Sequence, residues 1–215
     1  MPNNSNNQIC PLCQSHGSLF YKDKRHLYYK CRNCLAIFLD RYNLPDRDLE
    51  KKRYLEHNND VNDPGYQRFV KPLVAAVIDD FDEKDSGLDF GAGTGPVAAK
   101  LLHDRNYQIE LYDPLFHNNP KLLKRKYDYI ICCEVIEHFH YPAKEFELLK
   151  KLLLPGGRLY CMTDLHDKSV DFQNWYYKND RTHVFIYHHK TLEWIKEKLK
   201  FASLKVDKRL AVFTI

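Results

Sequence analysis

Four cysteines near the start of the sequence have the spacing of a metal site. Cys10 and Cys13 form one C-x2-C pair, and Cys31 and Cys34 form a second pair after seventeen intervening residues. Two such pairs can place four thiolates at the corners of a tetrahedron, which is the geometry that Zn²⁺ prefers. Because all four corners would be protein ligands, no position remains for a catalytic water. The spacing therefore predicts a structural zinc.

The residues between the two pairs are typical of a hairpin with a polar turn. Residues 1–40 are therefore predicted to form a zinc-ribbon segment that is too small to hold a core and is stabilised by its metal. The rival interpretation is two disulfides, but a reducing compartment argues against them. A redox dithiol is a weaker rival, because a single C-x2-C pair would suffice for it.

A second stretch that could bind a ligand is the glycine loop "LDFGAGTGP", residues 88–96. It lacks the Gly-Lys-Ser/Thr of a P-loop, and Pro96 stands where a dinucleotide fingerprint needs its third glycine. Asp89 offers a carboxylate to a cationic amino group, while amides near the next helix start could bind a negative group. That combination favours a ligand with an amino-acid end over a pyrophosphate.

Asp113 completes this ligand hypothesis. It follows the next predicted strand, in "LYDP", where a carboxylate can accept hydrogen bonds from two ribose hydroxyls. A site with an amino-acid end and a ribose end fits S-adenosylmethionine (SAM). The sequence therefore predicts SAM as the cofactor.

Candidate catalytic residues follow two later strands. "EVIEHFH" supplies Glu137 and His138, and "DRTHV" supplies His183. Methyl transfer from a sulfonium is a direct displacement that needs alignment and, for some nucleophiles, a base. We expect His183 to be this base or an acceptor contact, the alternative being a structural histidine bonded to a carbonyl. Glu137 and His138 are the other catalytic candidates, or they cap a helix or bond the backbone. Because no H-x3-H or HExxH spacing occurs, a metal at these histidines is not predicted.

The elements that must position these residues alternate between strands and helices after residue 67. This alternation predicts an α/β fold with a doubly wound, Rossmann-like, mostly parallel sheet. The last two strands are joined by a short turn near Asp207 and must be antiparallel to each other. We expect residues 67–215 to form the main domain and residues 41–66 to be a linker or a lid that carries Tyr42, Tyr54 and Tyr66.

Residues 86–215 resemble a class I SAM-dependent methyltransferase of the ubiquinone-methylase-like (type 23) group. "LDFGAGTG" resembles the first motif, "LYDP" the ribose-binding acid, "YDYIICCEVIEHF" the fourth strand and "LLLPGGRLYCMT" the fifth-strand region. Zinc-ribbon segments also precede such domains in some bacterial methyltransferases. The resemblance implies these cofactor contacts: Asp89, Gly91, Ala92, Gly93, Asp113 and Glu134. Only thirteen residues separate Asp113 from Tyr127, so we expect the family's third strand to be short or lost.

Composition sets limits on the function. The chain has 215 residues, a formal net charge of +4 and 44% hydrophobic residues. It has no apolar run long enough to cross a bilayer and no signal peptide at its start, so we expect a cytoplasmic protein that binds no membrane. Its basic clusters are typical of solvated faces, which makes nucleic acid an improbable partner. The oligomeric state is not predicted.

The expected function is methyl transfer from SAM to oxygen or carbon of a small-molecule acceptor, such as a nucleotide sugar or a quinol-like metabolite. One alternative is a methyltransferase acting on a macromolecule, with the zinc ribbon as its docking module. Another is a non-catalytic SAM-binding scaffold. An N/D-P-P-Y motif, typical of N-methylation of bases or glutamine, does not follow the fourth strand.

Overall fold

Two sheets organise the chain, and the computed structural model describes them through residues 7–24, 26–56 and 60–215. The strands are β1 (Asn7–Ile9), β2 (His16–Lys22), β3 (Leu27–Cys31), β4 (Ile37–Leu39), β5 (Ser86–Phe90), β6 (Gln108–Tyr112), β7 (Tyr127–Cys133), β8 (Leu153–Met162), β9 (Phe185–Ile186), β10 (Ser203–Asp207) and β11 (Leu210–Thr214). The helices are α1 (Arg47–Leu55), α2 (Pro64–Asp80), α3 (Val97–His103), α4 (Pro142–Leu152) and α5 (His189–Leu199).

The larger sheet has the strand order β10-β11-β8-β7-β5-β6. Strands β6, β5, β7 and β8 are parallel, whereas β11 is antiparallel to β8 and β10 is antiparallel to β11. The predicted doubly wound sheet with an antiparallel C-terminal strand is therefore confirmed. Residues 113–126, all of which the structure describes, hold only an isolated bridge and a 3₁₀ turn between β6 and β7. The family's third strand is lost there, one of the two outcomes that the short connection between Asp113 and Tyr127 led us to expect.

Helices cover both faces of this sheet. Helix α2 begins after Asp63, whose side chain accepts a hydrogen bond from the Tyr66 amide, and Pro64 occupies a first-turn position that tolerates proline. The apolar stripe of α2 packs with α3 in one core cluster, while α4 and α5 share the other cluster with the opposite face. In the described part of the chain, no helix is both long and apolar enough to cross a membrane.

The smaller sheet is antiparallel and joins the cysteine-bearing segment to the rest of the chain. Its order is β1-β2-β3-β4-β9, so its last strand comes from the region between β8 and α5. Phe38 of β4 pairs with Phe185 of β9, and the Leu39 amide donates to the Val184 carbonyl at 2.9 Å. The ribbon, defined here as β1–β4, is therefore continuous with the region that surrounds His183.

Candidate active site

A cavity of about 1090 Å³ opens at the carboxyl ends of β5, β6 and β7. Ligands of open α/β sheets bind at this edge. The glycine loop and Asp113 line one side, which we call the cofactor side. Residues after β7 and the segment 176–183 line the other side, which we call the acceptor side. The cavity exceeds the roughly 300–1,000 Å³ of typical small-molecule sites, so it has room for two ligands.

The glycine loop shapes the cofactor side through its backbone. Gly91 has φ +86°, and a Cβ atom there would lie 2.6 Å from the side chain of Val135. Gly93 has φ +60°, and a Cβ there would meet no atom within 4 Å. Between them, Ala92 is buried and its amide donates to the Tyr112 carbonyl at 3.1 Å. The loop therefore packs against Val135 at its start and is open to the cavity at Gly93.

Asp89 is a buried carboxyl group on the same side. It lies near the end of β5, paired with Leu111 of β6 and Ile131 of β7, and it lines the cavity. Burial, and secondarily the charge of Asp113, raises the pKa of Asp89 to about 7. A carboxyl group with this pKa gains its charge readily when a cation binds beside it.

Asp113 ties together the loops that follow β5 and β6. Its Oδ2 accepts from the Gly93 amide at 3.1 Å, and its Oδ1 accepts from the Leu115 and Phe116 amides at 2.7 and 3.0 Å. These bonds use three of the roughly four lone-pair positions of a carboxylate. A ribose hydroxyl can therefore use the remaining position or replace the Gly93 amide.

Glu134 lies where β7 ends and has an unusual backbone conformation for its type, with φ +53°. Its Oε2 accepts from Arg209 Nη2 at 2.6 Å, and Arg209 Nη1 lies 3.1 Å from Asp164 Oδ2. Burial and then Glu137 raise the pKa of Glu134 to about 8, against the opposing effect of Arg209. Arg209 was not among the sequence-based candidates, since nothing in the turn between β10 and β11 distinguishes it as a site residue.

The acceptor side brings Glu137, His138 and His183 together: the two histidines line the cavity, whereas Glu137 is buried next to them. One ligand atom of each residue lies within 4.8 Å of the others. Glu137 is fully buried; burial raises its pKa to about 7, although hydrogen bonds from Tyr177 and Thr163 oppose that shift. Burial also lowers the pKa of His138, which favours its neutral form at the site.

Both histidines of this cluster also have backbone partners. His138 Nδ1 lies 2.8 Å from the Thr182 carbonyl, and His183 Nδ1 lies 2.7 Å from the Tyr177 carbonyl. The alternative role of His183, a structural histidine, requires a hydrogen bond to a carbonyl, and the bond to Tyr177 meets that requirement. It involves only one of the two ring nitrogens, so it does not decide between the two roles.

Helix α1 lies over the mouth of the cavity. Its polar contacts include Arg53 Nε with Asp180 Oδ2 at 3.0 Å, His140 Nε2 with Glu50 Oε1 at 2.9 Å, and Arg47 Nη2 with the Pro114 carbonyl at 2.9 Å. Tyr54 and Tyr66 line the cavity, and the Tyr54 ring contacts that of His138 edge-on at 5.2 Å. Tyr42, by contrast, is exposed and lines a different cavity.

The sequence model of a family described as a methyltransferase domain matches residues 62–206, more than half of the chain. The chain belongs to this methyltransferase family. The resemblance of the sequence to class I SAM-dependent methyltransferases is therefore confirmed. No curated protein sequence is a significant match to this chain.

Solved structures share the fold of this methyltransferase at low sequence identity. Human N-acetylserotonin methyltransferase, in complex with SAM, has a TM-score of 0.55 and 12% identity over 80% of this chain and 60% of its own. An O-methyltransferase family protein from Burkholderia thailandensis has a TM-score of 0.52 and 12% identity over 77% and 61%. A chain of the complex that contains the Haloferax volcanii Trm112 methyltransferase activator has a TM-score of 0.51 and 13% identity over 79% and 99%. The chain thus spans about three fifths of the length of the first two proteins, and such identities show the fold alone.

The ribbon of the methyltransferase holds its four cysteines in one cluster. All four Sγ atoms lie within 4.8 Å of one another, with 3.8 Å between Cys10 and Cys34 and 3.3 Å between Cys13 and Cys31. A tetrahedral zinc with Zn–S bonds of about 2.3 Å requires sulfur separations of about 3.8 Å. A disulfide requires about 2.05 Å, and all four thiols are free. The cluster fits zinc and does not fit the disulfide alternative.

Proposed function

We propose that this protein is an enzyme that transfers a methyl group from SAM to oxygen or carbon of a small-molecule acceptor. One observation carries the proposal. A single cavity has the glycine loop, Asp89 and Asp113 on one side and His138 and His183 on the other, and a carboxylate oxygen of the buried Glu137 lies within 4.8 Å of a ring nitrogen of each histidine. An electrophile and a nucleophile bound on these two sides would meet inside the cavity.

The cofactor side would hold SAM by its two polar ends. Asp89 would bind the ammonium group, and the backbone of residues 91–93 would lie against the cofactor because Gly93 leaves open space beside it. Asp113 would bind the ribose, and Glu134 would lie near the methionine end. When bound, SAM supplies an electrophilic methyl carbon on a sulfonium.

The acceptor side would orient the nucleophile toward that carbon. His138 and His183 would contact the acceptor or take up its proton, and Glu137, which is buried beside them, would assist that proton transfer. Helix α1 would exclude water, since it contacts both sides of the cavity, and residues 41–66 would then be a lid rather than a passive linker. A roofed cavity favours an acceptor small enough to be enclosed. The free thiols of the ribbon favour a reducing compartment, and we propose a cytoplasmic location on that basis.

Isothermal titration with SAM and S-adenosylhomocysteine tests the cofactor proposal directly. We expect both ligands to bind one per chain. If Asp89 binds only the ammonium group, which both ligands carry, Asp89→Asn should weaken the binding of both to a similar extent. If Asp89 also stabilises the sulfonium, which only SAM carries, the binding of SAM should weaken more than that of S-adenosylhomocysteine. Absence of binding to either ligand would refute both the enzyme and the scaffold interpretations.

A macromolecular acceptor is the second candidate, and a second cavity of about 620 Å³ favours it. This cavity lies between the ribbon and segments 139–141 and 184–185, and the exposed rings of Tyr42 and Tyr141 line it. A labelled-SAM assay should compare nucleotide sugars and quinols with total protein and RNA. Transfer of the label to a small molecule supports the first candidate. Transfer to a macromolecule that is lost in the double variant Tyr42→Ala, Tyr141→Ala supports the second. SAM binding without transfer to any acceptor would favour the scaffold.

A further inference from the structure

The acceptor side holds three potential metal ligands of two chemical types. Glu137, His138 and His183 place one carboxylate oxygen and two imidazole nitrogens within 4.8 Å of one another. The two rings approach each other with centroids 4.9 Å apart. Glu137 is fully buried and His183 is 8% exposed. Three donor atoms thus converge on a space that a single ion can occupy.

Hydrogen bonds fix the tautomer of both imidazoles. The partner of each Nδ1 is a backbone carbonyl, Thr182 for His138 and Tyr177 for His183. A carbonyl oxygen can only accept, so each Nδ1 must carry the proton. In the neutral ring the lone pair is then on Nε2. Histidines that bind metals through Nε2 are oriented by this same kind of bond from the other nitrogen.

The carboxylate is oriented in a comparable way. The Tyr177 hydroxyl donates to Glu137 Oε1 at 2.5 Å, and the Thr163 hydroxyl donates to Oε2 at 3.0 Å. Each carboxylate oxygen has a second lone pair with which it can bind a cation. Tyr177 orients two members of the cluster at once, because its hydroxyl contacts Glu137 and its carbonyl contacts His183.

A neighbouring carboxylate adds an independent observation. Oε1 of Glu134 is buried and has no hydrogen-bond partner among the described residues. Glu134 and Glu137 belong to the same short segment after β7, and Arg209 is the cation that contacts the former. A buried, unpartnered carboxylate oxygen is costly, and a nearby bound cation would offset that cost.

We propose that Glu137, His138 and His183 bind one divalent transition-metal cation on the acceptor side of the cavity. Two imidazoles and one carboxylate suit first-row ions such as Mn²⁺, Fe²⁺, Co²⁺ or Zn²⁺. Three protein ligands leave coordination positions for a further ligand. An oxygen atom of the acceptor would occupy one of these positions. We therefore infer that the proposed transferase acts on an acceptor that carries such an oxygen. This role of the cation rests on the proposed function, whereas its binding does not.

Binding of the added metal to the ribbon cysteines must be prevented during the measurement. The protein should therefore be loaded with one equivalent of Zn²⁺ and then titrated with Mn²⁺, which has little affinity for thiolates compared with nitrogen and oxygen ligands. Electron paramagnetic resonance of unbound Mn²⁺ reports the binding. We expect one Mn²⁺ per chain, and at least tenfold weaker binding in His138→Gln. His103→Gln is the matched control, because His103 bonds the Ile109 carbonyl and does not line the cavity; it should bind Mn²⁺ like the wild type.

A second measurement needs no variant, so it is decisive even if His138→Gln fails to fold. Mn²⁺ is paramagnetic and should broaden the imidazole nuclear magnetic resonance signals of His138 and His183 but not that of His103. Absence of Mn²⁺ binding, or equal affinity in wild type and a folded His138→Gln, overturns the proposal. If SAM binds and Mn²⁺ does not, the metal site is refuted and methyl transfer stands. If Mn²⁺ binds and SAM does not, the proposed function is refuted and the metal site stands.

Discussion

The two sides of the cavity are built from different kinds of structure. The cofactor side comes mainly from one contiguous loop, residues 88–97, whose shape depends on backbone conformations at Gly91 and Gly93. The acceptor side is assembled from side chains of separate segments, and Tyr177 and Thr182 orient them through hydrogen bonds. A site made of backbone needs few specific side chains beyond glycine. A site made of side chains depends on everything that holds those segments together.

The ribbon contacts only one of these sides through its strands. Strand β4 pairs with β9, and β9 begins two residues after His183. The Val184 carbonyl accepts from the Leu39 amide, while the Val184 amide donates to the Glu137 carbonyl. A continuous set of backbone bonds thus runs from the ribbon to two residues of the acceptor cluster. The difference between the two sides can be tested by perturbing each in turn.

Removal of the zinc that we propose for the ribbon cysteines should have the largest effect. Structural zinc contributes roughly 10–16 kcal/mol to the folding of isolated zinc-finger peptides, so Cys13→Ser or chelation should unfold the ribbon. We expect a lower melting temperature and fast hydrogen exchange at the amides of residues 184–186. SAM affinity should change less than threefold, since the cofactor side shares no strand pairing with the ribbon. Calorimetry and exchange mass spectrometry measure the two effects.

Re-addition of Zn²⁺ is the control for chelation and should restore slow exchange. The contrast between the sides would be lost if SAM affinity fell in parallel with the protection of residues 184–186. That result would mean that the ribbon supports the whole cavity.

Gly91→Val should have the next largest effect, and on the cofactor side. Valine disfavours positive φ, which costs about 1–2 kcal/mol, and its Cβ would clash with Val135. Overpacking adds about 1–3 kcal/mol. We therefore expect SAM to bind at least tenfold more weakly by titration calorimetry. Gly156→Ala is the control for the φ strain, because Gly156 has φ +79°, a Cβ there would meet no atom within 4 Å, and it does not line the cavity; it should bind SAM like the wild type, and an equally unchanged affinity in Gly91→Val would show that contact with Val135 does not shape the loop.

The same difference explains what the sequence could predict. The glycine loop with Asp89 and the C-x2-C pairs are local patterns, so the cofactor loop and the cysteine cluster were predictable. The alternation of strands and helices predicted a doubly wound sheet but not its strand order. The convergence of His183 on Glu137 and His138 was not, because it depends on how segment 176–183 folds back over β7. Arg209 was missed for the same reason: its position follows from the pairing of β11 with β8. The pairing of β4 with β9 also lacked a sequence signal, since two short apolar strands carry little register information.

Asp89→Asn tests the electrostatics of the cofactor side without removing volume. The pKa of Asp89 is about 7 in the folded chain and about 3.9 when unfolded. The raised folded value means that ionisation opposes folding, so this destabilisation is absent below about pH 4, grows as pH rises, and is complete above about pH 7. Without cofactor, the melting temperature of Asp89→Asn relative to wild type should therefore increase from pH 5 to pH 8.

SAM affinity should show the opposite preference. The wild type should bind SAM more tightly as pH rises through 7, because the ionised carboxylate attracts the ammonium, whereas the asparagine variant should bind weakly at every pH. Scanning calorimetry and titration calorimetry across this range measure both trends. A wild-type affinity that is flat between pH 6 and 8 would contradict the ammonium role of Asp89.

The smallest effects should come from the contacts that hold α1 over the cavity. Arg47 bonds the carbonyl of Pro114, next to Asp113 on the cofactor side, and Arg53 pairs with Asp180 on the acceptor side. A partly exposed ion pair such as Arg53–Asp180 contributes about 0.2–1 kcal/mol, and a hydrogen bond to a carbonyl such as that of Arg47 contributes about 0.5–1.5 kcal/mol. Arg47→Gln and Arg53→Gln should therefore melt within a few degrees of the wild type. The rate of S-adenosylhomocysteine release, measured by stopped-flow displacement, should rise several-fold in Arg47→Gln and little in Arg53→Gln. Equally faster release in both variants would mean that α1 moves as one body and covers both sides of the cavity, although the two sides are built differently. Unchanged release in both variants would mean that α1 does not limit the release of S-adenosylhomocysteine.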